Sequence, residues 1–248
     1  MDVSELRQRM SALPEPGGDS FWASKRRDLR WHVAHEDLSA FLNWSPITAT
    51  MFVDEAPYIR DEYEALMAHD AGRWGVAIRE HVAGSPKHLS FDGNTSGNLV
   101  HQAYHLMTWE IVTDRRVDEL GCIVEIGGGY GAMAKVARAA GFSGDYLICD
   151  NPEFSLLQRY YLDQCGIEAG CFSVPIVDVW PGLLIALYSL SEMSTDEQAE
   201  CLSGLILDRF LIAGNGIDPI MQVSGLLNGV HPQPVEIAHL PGSYYLIG

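Results

Sequence analysis

Apolar residues follow two different rhythms along this 248-residue chain. Up to about residue 116 they recur at helical spacing, over residues 35–44, over the helix-former-rich residues 54–69, and over residues 98–116. Pro46 and Gly72 punctuate the first two of these, and the polar run 90–97 leads into the third. After Glu119 the texture changes to short apolar runs at 121–126, 145–149, 182–188 and 209–213, the pattern of buried parallel strands. Helical segments at 131–140, 152–164 and 195–207 lie between them, and a weaker strand falls near 171–174. This alternation predicts an α/β fold, a right-handed doubly wound sheet with helices on both faces. Residues 235–239 and 244–247, joined by Pro241-Gly242-Ser243, read instead as an antiparallel hairpin at the sheet edge. The expected organisation is an arm and helical cap over residues 1–116, then an α/β core over residues 117–248. The Pro/Gly-rich break at 13–18 marks the arm off as a short, mobile amphipathic segment.

Charge narrows the partners. The chain carries 33 Asp and Glu against 16 Lys and Arg, a formal net charge of -17, which repels polyanions and anionic lipid. The only lysines are Lys25, Lys87 and Lys135, and no basic run exceeds Lys25-Arg26-Arg27, so neither nucleic acid nor membrane is an expected partner. The 5 cysteines (Cys122, Cys149, Cys165, Cys171 and Cys201) are odd in number and never spaced C-x-x-C, which fits a reducing cytoplasm better than a disulfide framework or a zinc site. The amino terminus lacks a secretory pattern, and no 18-residue apolar run occurs.

The strongest chemical signal is Val124-Glu125-Ile126-Gly127-Gly128-Gly129-Tyr130-Gly131, placed where a strand passes into a helix and a ligand can approach the backbone. Glycines at 127, 129 and 131 remove side chains from that approach. Glu125, at the end of an apolar strand, is a costly carboxylate unless it meets a cation or hydrogen-bond donors. A dinucleotide fingerprint tolerates the spacing, with Ala132 at its third small position, but Glu125 repels a pyrophosphate and attracts the ammonium and sulfonium of S-adenosylmethionine. Asp150 closes the second strand where ribose hydroxyls are bound in both cofactor classes; its bland role is to cap the next helix.

On Glu125, Gly127, Gly129 and Gly131 the chain resembles the class I S-adenosylmethionine-dependent methyltransferases, which have a Rossmann-like sheet. More narrowly, VEIGGGYG, YLICDNPEFSLLQRYYL and YSLSEM look like a bacterial family of sugar O-methyltransferases, with Asn151 standing where that family has leucine. The resemblance covers residues 121–193, and more loosely SFW near Phe21 and GNT near Gly93. It implies S-adenosylmethionine as cofactor, held by Glu125, Gly127, Gly128, Gly129, Tyr130, Gly131, Asp150, Asn151 and Ser189, and a saccharide hydroxyl as acceptor.

A hydroxyl acceptor must lose a proton, so the catalytic candidates are carboxylates and imidazoles near the carboxyl ends of the strands. Glu192 follows the fourth strand; it serves equally well as a base or as a carboxylate at a helix start. His101 and His105, four apart, share a helix face, where a base and a pair of satisfied helix histidines are competing readings. Ser189 and Tyr188 are candidates for the methionine end of the cofactor and Asp178 for its adenine. Phe21, Trp22, Trp31, Trp44, Tyr58 and Tyr63 line a sugar cleft or belong to the core. H-x-x-x-H without a third ligand makes no metal site. The leading expectation is a cytoplasmic O-methyltransferase acting on a sugar or glycosylated small molecule, compatible with a homodimer. The alternatives are small-molecule N-methylation, NAD-dependent oxidation and a non-catalytic binding protein.

Overall fold

The computed structural model describes residues 1–176, 179–227 and 232–248. In chain order the helices are α1 (Val3–Ser11), α2 (Phe21–His35), α3 (Ser45–Thr48), α4 (Ile59–Ala77), α5 (Gly97–Thr113), α6 (Ala132–Ala139), α7 (Pro152–Gln164), α8 (Thr195–Leu202) and α9 (Ile217–Leu226). The strands are β1 (Cys122–Ile126), β2 (Asp145–Cys149), β3 (Gly170–Phe172), β4 (Leu183–Leu187), β5 (Phe210–Asn215), β6 (Val235–Glu236) and β7 (Ser243–Ile247). They form one 7-stranded sheet in the order β3-β2-β1-β4-β5-β7-β6. The first five are parallel; β7 runs antiparallel to β5 and carries β6 on its outer edge. This is an α/β, Rossmann-like sheet with an antiparallel C-terminal pair, as the alternation of strand and helix patterns predicts.

Strand alternation sorts β1 into two layers. Val124 and Ile126 pack with Leu184, Ile212, Leu202 and Val223 beneath α8 and α9. Ile123 instead joins Tyr146, Ile148, α6, α7 and the amino-terminal helices in a second cluster, which runs without a break from Leu6 to Tyr245. Glu125 shares the Ile123 face, so the helical cap lies over the side of the sheet that holds the acid.

The arm is not the loose segment expected from its Pro/Gly break. Asp2 caps α1 by accepting from the Glu5 amide at 2.8 Å, and Leu6 and Met10 are buried against α2 and α7. Arg30 then ties down the break by donating to the carbonyls of Leu13 and Pro14 at 2.8 and 2.7 Å. Helix boundaries move for similar reasons. Asp37 accepts from the Ser39 amide at 2.9 Å and starts a separate 3₁₀ turn, so residues 35–44 divide where one helix is expected. The helix expected over 195–207 ends at Leu202, and α9 was hidden by its Gly, Asn and Pro neighbours.

Arg73 of α4 knits the cap to the core: its guanidinium grips buried Glu110 of α5 at 2.5 and 2.8 Å and donates to the Ala140 carbonyl at 2.9 Å. Glu110 also accepts from the Val117 amide at 2.7 Å. Glu110→Ala strips a largely buried guanidinium of its carboxylate, leaving it only the Ala140 carbonyl, and leaves the Val117 amide unpaired, so a loss of about 3–5 kcal/mol is expected, read as a lower urea midpoint. A loss below about 1 kcal/mol would show that the pair does not hold the cap.

Candidate functional site

The glycine turn owes its shape to what lies against it. Gly127 leaves β1 at φ +75°, and a Cβ there would overlap the Ser189 side chain. Ser189 is held by donating its hydroxyl to the Ile126 carbonyl, and it follows Tyr188, which turns the end of β4 at φ +67°. A non-glycine residue in that left-handed region is strained, a condition that clusters at ligand sites. A Cβ on Gly128 would stand 2.6 Å from Ile148 Cγ2, and one on Gly129, at φ +58°, would stand 3.3 Å from Met51 Cβ. The Gly127 amide donates to the Cys149 carbonyl and the Gly131 amide to the Gly128 carbonyl, both at 2.8 Å, and Gly131 becomes the left-handed N-cap of α6. Tyr130 is buried; its hydroxyl accepts from Asn98 at 2.8 Å, pinning the turn to α5.

Both acids of the motif stand at this turn with neutral partners. Glu125, 4% exposed, accepts from the Tyr146 hydroxyl at 2.9 Å. Burial, reinforced by the nearby charge of Asp150, pushes its carboxyl up to about 8. Asp150 accepts from the Asn151 amide and from Gln158 Nε2, each at 2.7 Å, and burial pushes it up to about 7 despite those bonds. Gln158 also donates to the Gly129 carbonyl at 3.0 Å, so one amide couples the second acid to the turn. Sequence reading missed Tyr146 and Gln158; a polar side chain inside an apolar strand or helix stripe was the available signal.

These residues open into a cavity of about 910 Å³ at the carboxyl ends of the parallel strands. Its wall contains Glu125, Gly127, Gly128, Gly129, Tyr130, Asp150, Asn151 and Ser189 of the expected cofactor set; Gly131 sits behind it at the helix start. Glu192 and His101 also line it, whereas His105 does not. Asn151 precedes α7 without a side-chain cap bond. Unanticipated wall residues come from the cap and from β5: Arg26, residues 48–53, Asn98, Gln102 and Asn215.

The three catalytic candidates stand in different surroundings. Glu192 is at the rim, where its Oε2 accepts from Trp22 Nε1 of α2 at 3.2 Å, and desolvation raises its pKa. Both ring nitrogens of His101 are committed: Nδ1 to buried Glu62 at 2.9 Å and Nε2 to His105 Nε2 at 3.0 Å. His105 is 0% exposed, its Nδ1 meets the Tyr245 hydroxyl, and burial, with His101 and His239 nearby, pushes its pKa well down. His239 also donates to Glu62, at 2.7 Å, so the cluster reaches from α4 through α5 to the carboxyl-terminal strands.

Of the six aromatic candidates only Trp22 lines the cavity, packing edge-on to Phe154 at 5.7 Å. Trp44 is core; Phe21 and Trp31 are exposed; Tyr58 packs beside His101, and Tyr63 donates to Asp92 at 2.9 Å. Asp178 lies outside the described residues. Among the described residues there is no metal-binding group of His, Cys, Asp and Glu, and no helix is long and apolar enough to cross a membrane.

No family model matches the chain, and no curated protein matches it. Solved structures do. The ribosomal protein L11 methylase from Lactobacillus delbrueckii subsp. bulgaricus is 17% identical with a TM-score of 0.47, covering 65% of this chain and 88% of its own. The mitomycin 7-O-methyltransferase MmcR is 14% identical with a TM-score of 0.45, covering 98% and 74%. PigF with SAH is 12% identical with a TM-score of 0.43, covering 90% and 77%.

Proposed function

We propose that this chain is an S-adenosylmethionine-dependent methyltransferase that methylates a hydroxyl of a sugar or glycosylated small molecule. The observation that carries the cofactor reading is the pairing of a side-chain-free turn with two acids, buried Glu125 and partly buried Asp150, whose hydrogen-bond partners are all neutral. Two acids at a ligand cavity, with the more distant Arg26 guanidinium as the cation that acts on Asp150, suit a cationic ligand and disfavour the pyrophosphate of NAD. The residues fit the cofactor: Glu125 toward its cationic end, Asp150 toward ribose hydroxyls, and Gly127–Gly129 where the backbone is approached. Bound there, the cofactor supplies an electrophilic methyl group.

The chain's own task is then to align the acceptor, exclude water and take a proton. Glu192 is the best placed of the three candidates to take it. One of its oxygens has a single donor, Trp22; the other has no partner among the described residues; and desolvation raises its pKa above the ordinary carboxylate value. His101 would have to break a bond to Glu62 or His105 first, and His105 stands behind the wall. We assign those two to shaping the wall. The Trp22 ring, with Gln102 and Asn215 in the wall, supports a polyol acceptor, because an aromatic face and neutral amides suit the two sides of a sugar.

Calorimetry tests the cofactor: saturable binding of S-adenosylhomocysteine and none of NAD is expected, and the reverse would sink the proposal. Glu192→Gln is expected to keep that binding while slowing turnover of a sugar acceptor by about 10²-fold or more. Unchanged turnover would remove Glu192 as the base.

A further inference from the structure

The charged residues in the cavity wall are acids with one exception. Glu125, Asp150, Glu192, Glu197 and Glu200 line it, and Arg26 is the sole lysine or arginine among its described residues. Arg26 is held from behind. Its Nε donates to Glu153 Oε2 at 2.6 Å, and Glu153, in the first turn of α7, is 0% exposed. The other oxygen of Glu153 lies 3.6 Å from Arg30 Nη1, and the remaining acid beside Arg30, Glu15, is exposed to solvent. Two guanidinium groups therefore share one buried carboxylate, which leaves an excess of one positive charge beside the cavity. Neither terminal nitrogen of Arg26 is hydrogen-bonded or sealed from solvent among the described residues, so that edge of the guanidinium is left for a ligand. We propose that Arg26 binds a carboxylate of the acceptor, which makes the acceptor an acidic sugar of the uronic acid kind. The inference rests on the sugar-methyltransferase reading and names its substrate class.

Arg26 follows Trp22 by four residues on α2, so the two side chains share a helix face about 6 Å apart. Trp22 donates to Glu192, which follows β4, whereas Arg26 pairs with Glu153, which follows β2, and β1 lies between those two strands. This turn of α2 thus crosses the cavity with the aromatic ring and the proposed base toward one side and the guanidinium toward the other. A sugar ring packed on Trp22 with a hydroxyl at Glu192 has its far edge toward Arg26. A carboxylate suits that position better than a phosphate on two counts. With Nε occupied, the two terminal nitrogens offer a pair of parallel N–H donors, the bidentate match for a planar carboxylate. A single negative charge also balances the excess of one, whereas a dianion adds repulsion from the wall acids. Those acids disfavour an anion elsewhere in the cavity, so the pairing sets the orientation of the ring as well as its class. Arg26 takes no proton, because a guanidinium stays protonated; it selects and orients, and the base remains Glu192.

The test is calorimetric, on the full chain with and without S-adenosylhomocysteine, with four probes: methyl glucuronide, its neutral amide, methyl glucoside and methyl glucoside 6-phosphate. The glucuronide is expected to bind at least about tenfold more tightly than the glucoside, and than the amide, which has nearly the same shape without the charge. Arg26→Gln should bring that ratio near one. Arg26→Lys keeps a cation for Glu153 but loses the fork, and should fall between Arg26→Gln and the parent. Circular dichroism shows which variants are folded; if Arg26→Gln is not, Arg26→Lys and the amide decide. Equal binding of glucuronide and glucoside overturns the proposal and leaves the sugar reading in place. A full preference that survives substitution of Arg26 overturns it as well, and tighter binding of the 6-phosphate overturns the assignment to a carboxylate. Binding of none of the four removes the sugar reading together with the proposal. Failure to bind S-adenosylhomocysteine counts against the cofactor reading alone, because the probes are also titrated without it.

Discussion

Affinity for S-adenosylmethionine is expected to rise more than about tenfold between about pH 6 and about pH 8, with protons released on binding. In the ligand-free chain burial holds Glu125 at about 8 and Asp150 at about 7, so both are largely protonated at the acid end of that range. A cationic ligand favours the carboxylates, and its binding must displace their protons. The stability that these acids contribute to the free chain has the opposite slope. Both folded-state values lie above those of an unfolded carboxyl, so between about pH 4 and about pH 8 these two groups bind more protons in the native chain than in the unfolded one, whereas buried His105, whose pKa is depressed, acts in the opposite sense below its unfolded value. The stability contributed by the two acids is therefore greatest at the acid end of that window and is lost as pH rises through the folded values. The melting temperature of the ligand-free parent relative to Glu125→Gln should fall over the window, while the shift that ligand produces in the parent grows. Calorimetry in buffers of different ionisation enthalpy measures the released protons; a pH-independent affinity would mean that the acids do not face the cofactor's charge.

Gly127→Ala is expected to weaken S-adenosylhomocysteine binding about 100-fold or more, against an unchanged Gly93→Ala control. The new Cβ would be placed on the Ser189 side chain, and the φ of +75° is one that alanine adopts only with strain. Gly93 has open space where a Cβ would go. The turn has to move, and with it the alignment of β1, β4 and the α6 start. Gly129→Ala, with its Cβ 3.3 Å from Met51, should fall between the two. Far-UV circular dichroism separates loss of the site from loss of the fold. Folded Gly127→Ala that binds within about threefold of the parent would remove the turn as the cradle.

The parallel strands were legible because β1, β4 and β5 are buried on both faces, which forces short continuous apolar runs between helical stretches. Boundaries set by one local hydrogen bond were not: Asp37 dividing residues 35–44, and Asp2 and Arg30 fastening an arm whose composition suggested freedom. The proposed cofactor half of the candidate site is nearly contiguous in sequence and so announced itself in Glu125, the glycines and Asp150. The proposed acceptor half draws on Trp22, Gln102, Glu192 and Asn215, cavity-lining residues far apart in the chain with no common pattern.

The sequence by itself determined the α/β alternation and the glycine turn, and it is the source of the proposed preference for a cation over a pyrophosphate, because steric freedom and the sign of a charge are properties of the residues themselves. Tertiary structure alone decided which candidates face the cavity. It placed Trp22 against Glu192, turned both nitrogens of His101 into the wall and sealed His105 behind it. The physical reason is common to all three: burial and hydrogen-bond commitment depend on neighbours contributed by distant elements, and helical spacing specifies a face without specifying what that face will meet.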